Sequence, residues 1–393
     1  MKIIFFAHPD FLAHQSMPRY AKMLAEGMTG KGHDVEVWTA KSFFYKLSPN
    51  RKLKKWMGYI DQYLLFPFTI KSRIKSVPQN TLFVFTDHAL GPWVPFVSER
   101  HHVIHCHDFL AQRSALGEIN ENKTGWSGKK YQQYIRKGFQ KGKHFISISK
   151  QTQDELSRFL MVPPVSSHIV YNGLNQKFER VEKAHARKEF IKSARLDING
   201  RYILHVGGNH FYKNRKGVIE IYDQWRKTSR TPADLVLIGE APNQELTMAV
   251  ESSPFRSSIH LLIGVDDRLL RIAYPGADVL LFPSIAEGFG WPIAEAMASG
   301  TPVITTAEAP MTEVAGDAAI LIPRRPSQQA MADSWAKAGS KALEEILSMP
   351  GAEYEQLVEK GLINAKRFEP QAMMNQVESI YNQILNANQP VAN

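Results

Sequence analysis

The feature that most constrains this chain is an alternation that runs twice. Short apolar runs, each the length of a buried strand, lead into longer segments with helical spacing, and the pattern restarts near residue 202. In the first half, residues 2–7 are apolar and enter a His8-Pro9-Asp10 turn, and residues 19–28 place Tyr20, Met23, Leu24 and Met28 at helical spacing. Gly32-His33 stops that helix before a strand at 35–39. Further strands are predicted at 81–86, 102–106 and 144–149, and the half closes on a strand at 169–171 that ends in an Asn172-Gly173 turn. The second half repeats the scheme. It has a strand at 202–206, a Gly207-Gly208 turn, a helix at 216–225, and strands at 235–238, 259–263, 279–282 and 302–305. Strands separated by helical crossovers imply parallel sheets, so the chain is expected to be an α/β protein.

Length agrees with two domains, since 393 residues exceed one ordinary α/β domain. The boundary is placed between about 174 and 200, where a Lys- and Glu-rich helical stretch (181–193) separates the repeats. The expected division is 1–175, 176–370, and a C-terminal helix and tail at 371–393. No apolar run approaches the roughly 18 residues that a bilayer span requires. The opening MKIIFFAHPD is interrupted too early by charge and proline to read as a secretory signal. Cys106 is the only cysteine, which excludes an intrachain disulfide and a cysteine metal cage. The expected compartment is the cytoplasm.

The chemistry is concentrated in residues 281–305, LFPSIAEGFGWPIAEAMASGTPVIT. An apolar strand ends in Pro283-Ser284, and a loop carries Glu287-Gly288-Phe289-Gly290. Pro292 is expected at the first helical position, where its fixed φ is suitable and its missing N–H costs nothing. A strand, a glycine-bearing loop and a helix N-terminus together offer backbone N–H groups and partial positive charge to a phosphate. Glu287 precedes the helix and Glu295 lies about one turn inside it, which suits hydroxyl-rich groups at two ends of a ligand.

This stretch resembles the glutamate–seven residues–glutamate signature of glycosyltransferase family 4, with Gly-Phe-Gly and Pro in the expected places. The likeness extends to residues 277–284 before it and 300–304 after it, and to 312–314 and 316–319. Residues 203–207, Arg215-Lys216-Gly217, Asn172-Gly173 and the helix around Tyr381 also resemble family segments. It covers most of 140–385 and is weak in the first 140 residues.

The resemblance implies the GT-B fold: two Rossmann-like domains facing a central cleft, with the C-terminal helix crossing back to the N-terminal domain. Residues 1–175 would bind the acceptor and 176–370 the nucleotide sugar. The implied activity is a retaining, metal-independent glycosyltransferase that uses a UDP- or GDP-linked donor. Its acceptor would be a glycan or lipid-linked acceptor in cell-surface polysaccharide or glycolipid synthesis. By the same resemblance Glu287 contacts the donor-sugar hydroxyls and Glu295 the ribose. The backbone at Gly207, Gly288, Phe289, Gly290 and Trp291 holds the diphosphate and sugar. Arg215 and Lys216 neutralise the β-phosphate as it leaves, where negative charge grows in the transition state. Retention, also implied by the family, is read as front-side attack with the leaving phosphate taking the acceptor's proton. Two departures stand out. Gly208 occupies a place where the family often has arginine, with Lys213 or Arg215 as a replacement, and Gln15-Ser16 stand where it has a glycine pair.

His107 ends a strand at 103–106 and falls where the family places a histidine near the donor sugar. A structural histidine, or a metal site with His105 and Asp108, are the other readings, although strand alternation puts neighbouring residues on opposite faces. No Asp-x-Asp pair occurs, so no metal or other cofactor is called for, and Lys and Arg can do a metal's electrostatic work. An NAD-type oxidoreductase is excluded because residues 8–16 contain no glycine. A sugar-nucleotide epimerase or phosphorylase of the same fold is the alternative, separated by whether donor is consumed only with acceptor present.

The net charge of +10 is unevenly placed. Residues 41–75 hold nine cationic side chains and a lone acid, Asp61, among large apolar groups that include Trp56, Tyr63 and Phe68. A second stretch, 129–143, has six cations and no acid. Nothing in either reads bases, so nucleic acid is not expected as a partner. Segment 41–75 reads either as helices packed on the sheet with solvated lysines, or as a patch that docks on an anionic membrane surface. An acidic soluble glycan is a further partner for it.

Overall fold

The computed structural model describes residues 1–12, 16–47, 50–198, 200–229 and 233–386, and within these all side chains except those of Ser16, Arg51, Lys52 and Gln329. Gln15 lies outside the described residues. The chain divides into two compact units, Met1–Gly173 with Pro370–Asn393, and Leu174–Glu369.

Unit 1 is a parallel sheet of six strands: β1 (Lys2–Phe6), β2 (Asp34–Trp38), β3 (Leu82–Phe85), β4 (His102–Cys106), β5 (His144–Ser147) and β6 (Ser166–Ile169). Their order is β2-β1-β3-β4-β5-β6. The central strands are apolar on both faces, as a sheet covered on two sides requires. Ile4, Phe6, Phe83, Phe85 and Ile104 pack with Trp38, Trp93 and Phe139. The alternate residues Ile3, Phe5, Leu82 and Val84 pack with Leu24 and Met28 of the helix Ser16–Gly30. The same face takes Met373, Val377 and Tyr381 of the last helix, Pro370–Asn386, so the chain's end completes this core.

Unit 2 is a second parallel sheet: β7 (Tyr202–Val206), β8 (Asp234–Gly239), β9 (Ile259–Ile263), β10 (Val279–Phe282), β11 (Val303–Thr306) and β12 (Ala319–Ile322). The order is β12-β11-β10-β7-β8-β9. Its core joins Ile203, Leu235 and Leu281 to Val218, Ile221, Tyr222 and Trp225 of the helix Arg215–Arg226.

The expected α/β class with parallel sheets is what the chain adopts. Two strand assignments differ. The strand expected at 169–171 instead spans Ser166–Ile169, and β12 was not among the expected strands. Ser166–Ile169 is too polar to show an apolar run, whereas Ala319–Ile322 is apolar throughout. Trp291, not Pro292, is the first residue of the helix Trp291–Ala298.

Segment 41–75 forms the helices Phe44–Leu47, Arg51–Ile60 and Phe66–Arg73, with a π-helical turn at Asp61–Leu65. Phe66 and Ile70 pack into unit 1, while Trp56 (59% exposed) and Phe68 (65%) face solvent.

Candidate functional site

In unit 2 the strand order reverses between β7 and β10. The loops leaving two such strands diverge to opposite sides and open a crevice at the carboxyl edge, the usual ligand position in open α/β sheets. Here the loops are residues 207–214 after β7 and 283–290 after β10.

Backbone contacts tie the two loops together. Asn214 Nδ2 donates to the Pro283 carbonyl at 2.8 Å, and the Ile285 N–H donates to the Tyr212 carbonyl at 2.7 Å. Thr306 Oγ1 donates to the Ser284 carbonyl at 2.7 Å from the neighbouring strand. A Cβ at Gly239 would lie 2.0 Å from the Gly207 carbonyl oxygen, so only glycine lets β8 end this close to the first loop. Gly290 caps the helix Trp291–Ala298 at φ 102°, a conformation that an L side chain rarely adopts. The helix thus starts abruptly at the crevice, with its N-terminal partial charge there.

Lys213 Nζ lies 2.8 and 3.0 Å from the two Glu287 carboxylate oxygens. The ammonium is also within 5.2 Å of the Phe282 ring centroid and 5.5 Å of that of Tyr212. Both side chains of the pair are largely shielded, at 17% and 7% exposure, so the charges are poorly screened. Glu295 is buried and accepts from the Tyr274 hydroxyl at 2.6 Å. Burial pushes its carboxyl up to about 7, against the pull of Tyr274 and of the Lys213 charge. Lys213 therefore acts electrostatically on both glutamates of the signature.

The other expected residues are placed as follows. Arg215 is buried, and its Nη1 donates to Asn209 Oδ1 at 2.7 Å and to the Glu240 carbonyl at 3.0 Å. Burial lowers the guanidinium pKa, opposed by the Glu240 charge. Lys216 points to the outward face of its helix, 3.9 Å from Glu220 and 4.0 Å from Glu245. Gly207 lies beneath the Lys213 stem, with a Cβ there 3.5 Å from Lys213 Cβ. Gly208 abuts the Glu240 carboxylate, which would be 3.1 Å from an added Cβ. Phe289 is buried with its ring edge-on to Phe368, while Gly288 and Trp291 flank it and Gly290.

Residues that the sequence did not single out also take part: Asn214 and His205 at the same edge, and Tyr274, whose hydroxyl meets Glu295 from the helix Asp267–Gly276 that precedes β10. His205 is fully buried, donates Nδ1–H to the Leu281 carbonyl at 2.9 Å, and is lowered to about 3 by burial. His205 Nε2, Ser284 Oγ and Arg215 Nε are buried without a hydrogen-bond partner among the described residues. Buried polar groups are nearly always satisfied, so ligand oxygens suit Arg215 Nε–H and Ser284 Oγ–H, and a ligand O–H or N–H suits the His205 Nε2 lone pair.

His107 belongs to unit 1, at the end of β4. Its Nε2–H donates to the Thr86 carbonyl at 2.8 Å, and its ring meets Tyr20 edge-on at 4.5 Å. Burial lowers its pKa, against the Asp87 charge. His105 is bonded instead to the hydroxyls of Tyr20 (2.9 Å) and Tyr381 (2.8 Å). Among the described residues no group of three or more His, Cys, Asp or Glu could hold a metal ion. No helix among them is long and apolar enough to cross a membrane.

Two family models match the chain: glycosyltransferase family 4 over residues 17–178, and glycosyl transferases group 1 over 186–360. An uncharacterized glycosyltransferase of Methanocaldococcus jannaschii is 23% identical over 330 residues, covering 75% of this chain and 77% of that protein. The O-antigen chain mannosyltransferase B of Escherichia coli is 27% identical over 190 residues, 48% of this chain and about half (49%) of its own length. Among solved structures, Anabaena HepE in complex with UDP-glucose superposes with a TM-score of 0.69 at 14% identity, covering 98% of this chain and 100% of that one. At that identity the likeness is one of fold.

Proposed function

Because the chain belongs to the group 1 (family 4) glycosyltransferases, enzymes of the GT-B fold, we propose that it moves a hexose from a UDP- or GDP-linked donor to a glycan or lipid-linked acceptor. Unit 2 binds the donor and unit 1 the acceptor. The observation that carries the donor assignment is the shielded Lys213–Glu287 pair at the switch point, beside a helix N-terminus. Kinship with an O-antigen mannosyltransferase supports a polysaccharide acceptor, and the shared fold with a UDP-glucose complex supports a nucleotide-diphosphate donor.

In this reading the diphosphate lies against the N-terminus of the helix Trp291–Ala298 and the backbone at Gly207, Gly288, Phe289 and Gly290. Lys213, in place of Lys216, neutralises the charge that grows on the β-phosphate, with Arg215 holding the 207–214 loop in shape. Glu287 orients the sugar hydroxyls, and Glu295 with Tyr274 meets the ribose. The sugar C1–O bond to phosphate breaks while C1 bonds to the acceptor oxygen on the same face. The acceptor's proton passes to the leaving phosphate oxygen, and His107 is the candidate residue of unit 1 on the acceptor side. Lys213 and the helix N-terminus supply the electrostatic role that a metal fills elsewhere, so retention needs neither a metal nor an enzyme nucleophile.

The membrane is the proposed meeting place with a lipid-linked acceptor, at the cytoplasmic face. Phe43, Leu47, Trp56, Leu64 and Phe68 are exposed on segment 41–75 among its lysines. Each cation near an anionic leaflet contributes about 1 kcal/mol. Co-sedimentation with anionic vesicles at low salt, lost at high salt, is the expected result. Protein that stays in the supernatant would leave these residues as core and solvated surface.

Donor turnover tests the activity itself. A panel of UDP- and GDP-hexoses is incubated with acceptor glycans in excess EDTA, and the product linkage is read by NMR. One α-linked donor should give α-linked product without added metal. A β-linked product, or activity that returns only with Mn²⁺, would overturn retention or metal independence respectively. Donor consumed at the same rate without any acceptor would favour an epimerase.

A further inference from the structure

The strand order of unit 1 also reverses once, between β1 and β3. The rule that located the site in unit 2 therefore points to a second crevice, at the carboxyl ends of these strands. His8 leaves β1 there and Asp87 leaves β3, and His8 Nε2–H donates to Asp87 Oδ2 at 2.8 Å across the switch point. A cavity of about 220 Å³ opens on this pair, lined also by Tyr63, Trp93, Tyr131 and Gln132. It is smaller than the roughly 300–1,000 Å³ of pockets that enclose drug-sized ligands, so it fits one ring and not a nucleotide.

One wall is the π-helical turn Asp61–Leu65, set within a run that is otherwise α-helical. Such turns are rare and occur frequently at functional sites. This one is fixed in place. Buried Asp61 accepts the backbone N–H groups of Phe43 (3.1 Å), Phe44 (3.0 Å) and Tyr45 (2.9 Å), and Trp93 Nε1–H donates to the Gln62 carbonyl at 2.9 Å. Gln62 and Tyr63 thereby line the cavity while Leu64 and Leu65 remain exposed. The Tyr63 hydroxyl meets that of Tyr131, from the helix Trp126–Phe139, at 2.6 Å.

Charge narrows the ligand. Burial alone would raise the Asp87 carboxyl, but His88 at 3.0 Å and His8 hold it well below the usual range. The carboxylate is therefore ionised, and both of its oxygens already face a histidine. The remaining lining groups are phenols, amides, an indole and aliphatic side chains. No lysine or arginine lines the cavity, and its single carboxylate, Asp87, is taken up by His8 and His88. Aromatic faces beside neutral hydrogen-bonding groups match a ring with apolar C–H faces and a hydroxyl rim.

We propose that this cavity binds one neutral pyranose, the terminal sugar of the acceptor, with His8, Asp87 and Gln132 bonding its hydroxyls and Tyr131 and Trp93 packing on the ring. The word acceptor rests on the glycosyltransferase reading above; the sugar pocket does not.

Saturation-transfer NMR on the full chain tests it, with the methyl α-glycosides of mannose, glucose, galactose and N-acetylglucosamine as probes. The same sample is titrated separately with UDP and GDP. At least one glycoside should receive saturation, and His8→Leu and Gln132→Leu should each weaken binding about tenfold, the loss of one good hydrogen bond. Thermal melts establish that the variants fold, and one folded variant suffices. The proposal is overturned if no glycoside receives saturation from the wild type, or if the signal is unchanged in a folded variant. Nucleotide that fails to bind while a glycoside binds sinks the donor site and leaves the pocket; the reverse sinks the pocket alone.

Discussion

At the residue scale, the two glutamates were legible because their spacing survives any choice of helix boundary, whereas the cation that meets Glu287 was legible only as one of two replacements, Lys213 or Arg215, for an absent arginine. Lys216 attracts attention as part of an Arg-Lys-Gly run, yet Lys216, Glu220 and Asp223 fall in phase on a helix whose other face is Val218, Ile221, Tyr222 and Trp225. That periodicity turns Lys216 outward and leaves Lys213, which precedes the helix, to meet Glu287. Lys213→Ala is expected to lower kcat by about 10²–10³ with the fold intact, while Lys216→Ala stays within a few-fold of wild type. Steady-state kinetics on the two variants checks this, and the opposite ranking would return the role to Lys216. Glu295 carries a pH signature. Its carboxyl is raised from 4.5 to about 7 in the fold, so between these values the folded state holds the proton that the unfolded chain has lost. Its contribution is thus most favourable below pH 4.5 and is lost as pH rises through 7, at a cost on the order of 3 kcal/mol. Glu295→Gln should therefore melt above wild type at pH 9 and level with it at pH 5. A Tm difference independent of pH would mean that the carboxyl is not held protonated.

At the scale of elements, apolar runs reported the central strands of both sheets, because strands buried on both faces have to be continuously apolar. They missed β6, whose Ser166, Ser167 and His168 are polar. The site's shape depends on element junctions that periodicity does not describe. The 283–290 loop is held by Tyr212 and Asn214 from across the switch point, contacts between residues about 70 apart in sequence. Gly290 was legible as a turn residue, and its φ of 102° supplies the reason. Gly290→Ala should cost about 1–2 kcal/mol of stability and displace the helix N-terminus. Denaturant melts and UDP titration should both register it. A variant with unchanged stability and affinity would show that the left-handed cap is dispensable.

At the scale of the whole molecule, the repeat of one α/β pattern announced two sheets, and the switch point in each strand order then located a crevice that no local motif in the first 140 residues had marked. The chain's last helix is also part of this scale. Tyr381 reaches back 276 residues to His105, whose ring is bonded on both sides and lowered to about 3 by burial. Tyr381→Phe leaves His105 Nε2 buried without that partner and should destabilise the protein by about 1–3 kcal/mol. A melt unchanged from wild type would mean that the ring finds another partner.

The central claim is that unit 2 holds a nucleotide diphosphate at its switch point through Lys213. Isothermal titration calorimetry of UDP and GDP, in EDTA, against wild type and Lys213→Ala tests it most directly. The account predicts metal-free binding of one nucleotide to the wild type and affinity at least about tenfold weaker in the variant, as expected for a lost charge-assisted contact. Equal affinity in the two proteins, or binding that appears only when a divalent metal is added, would contradict it.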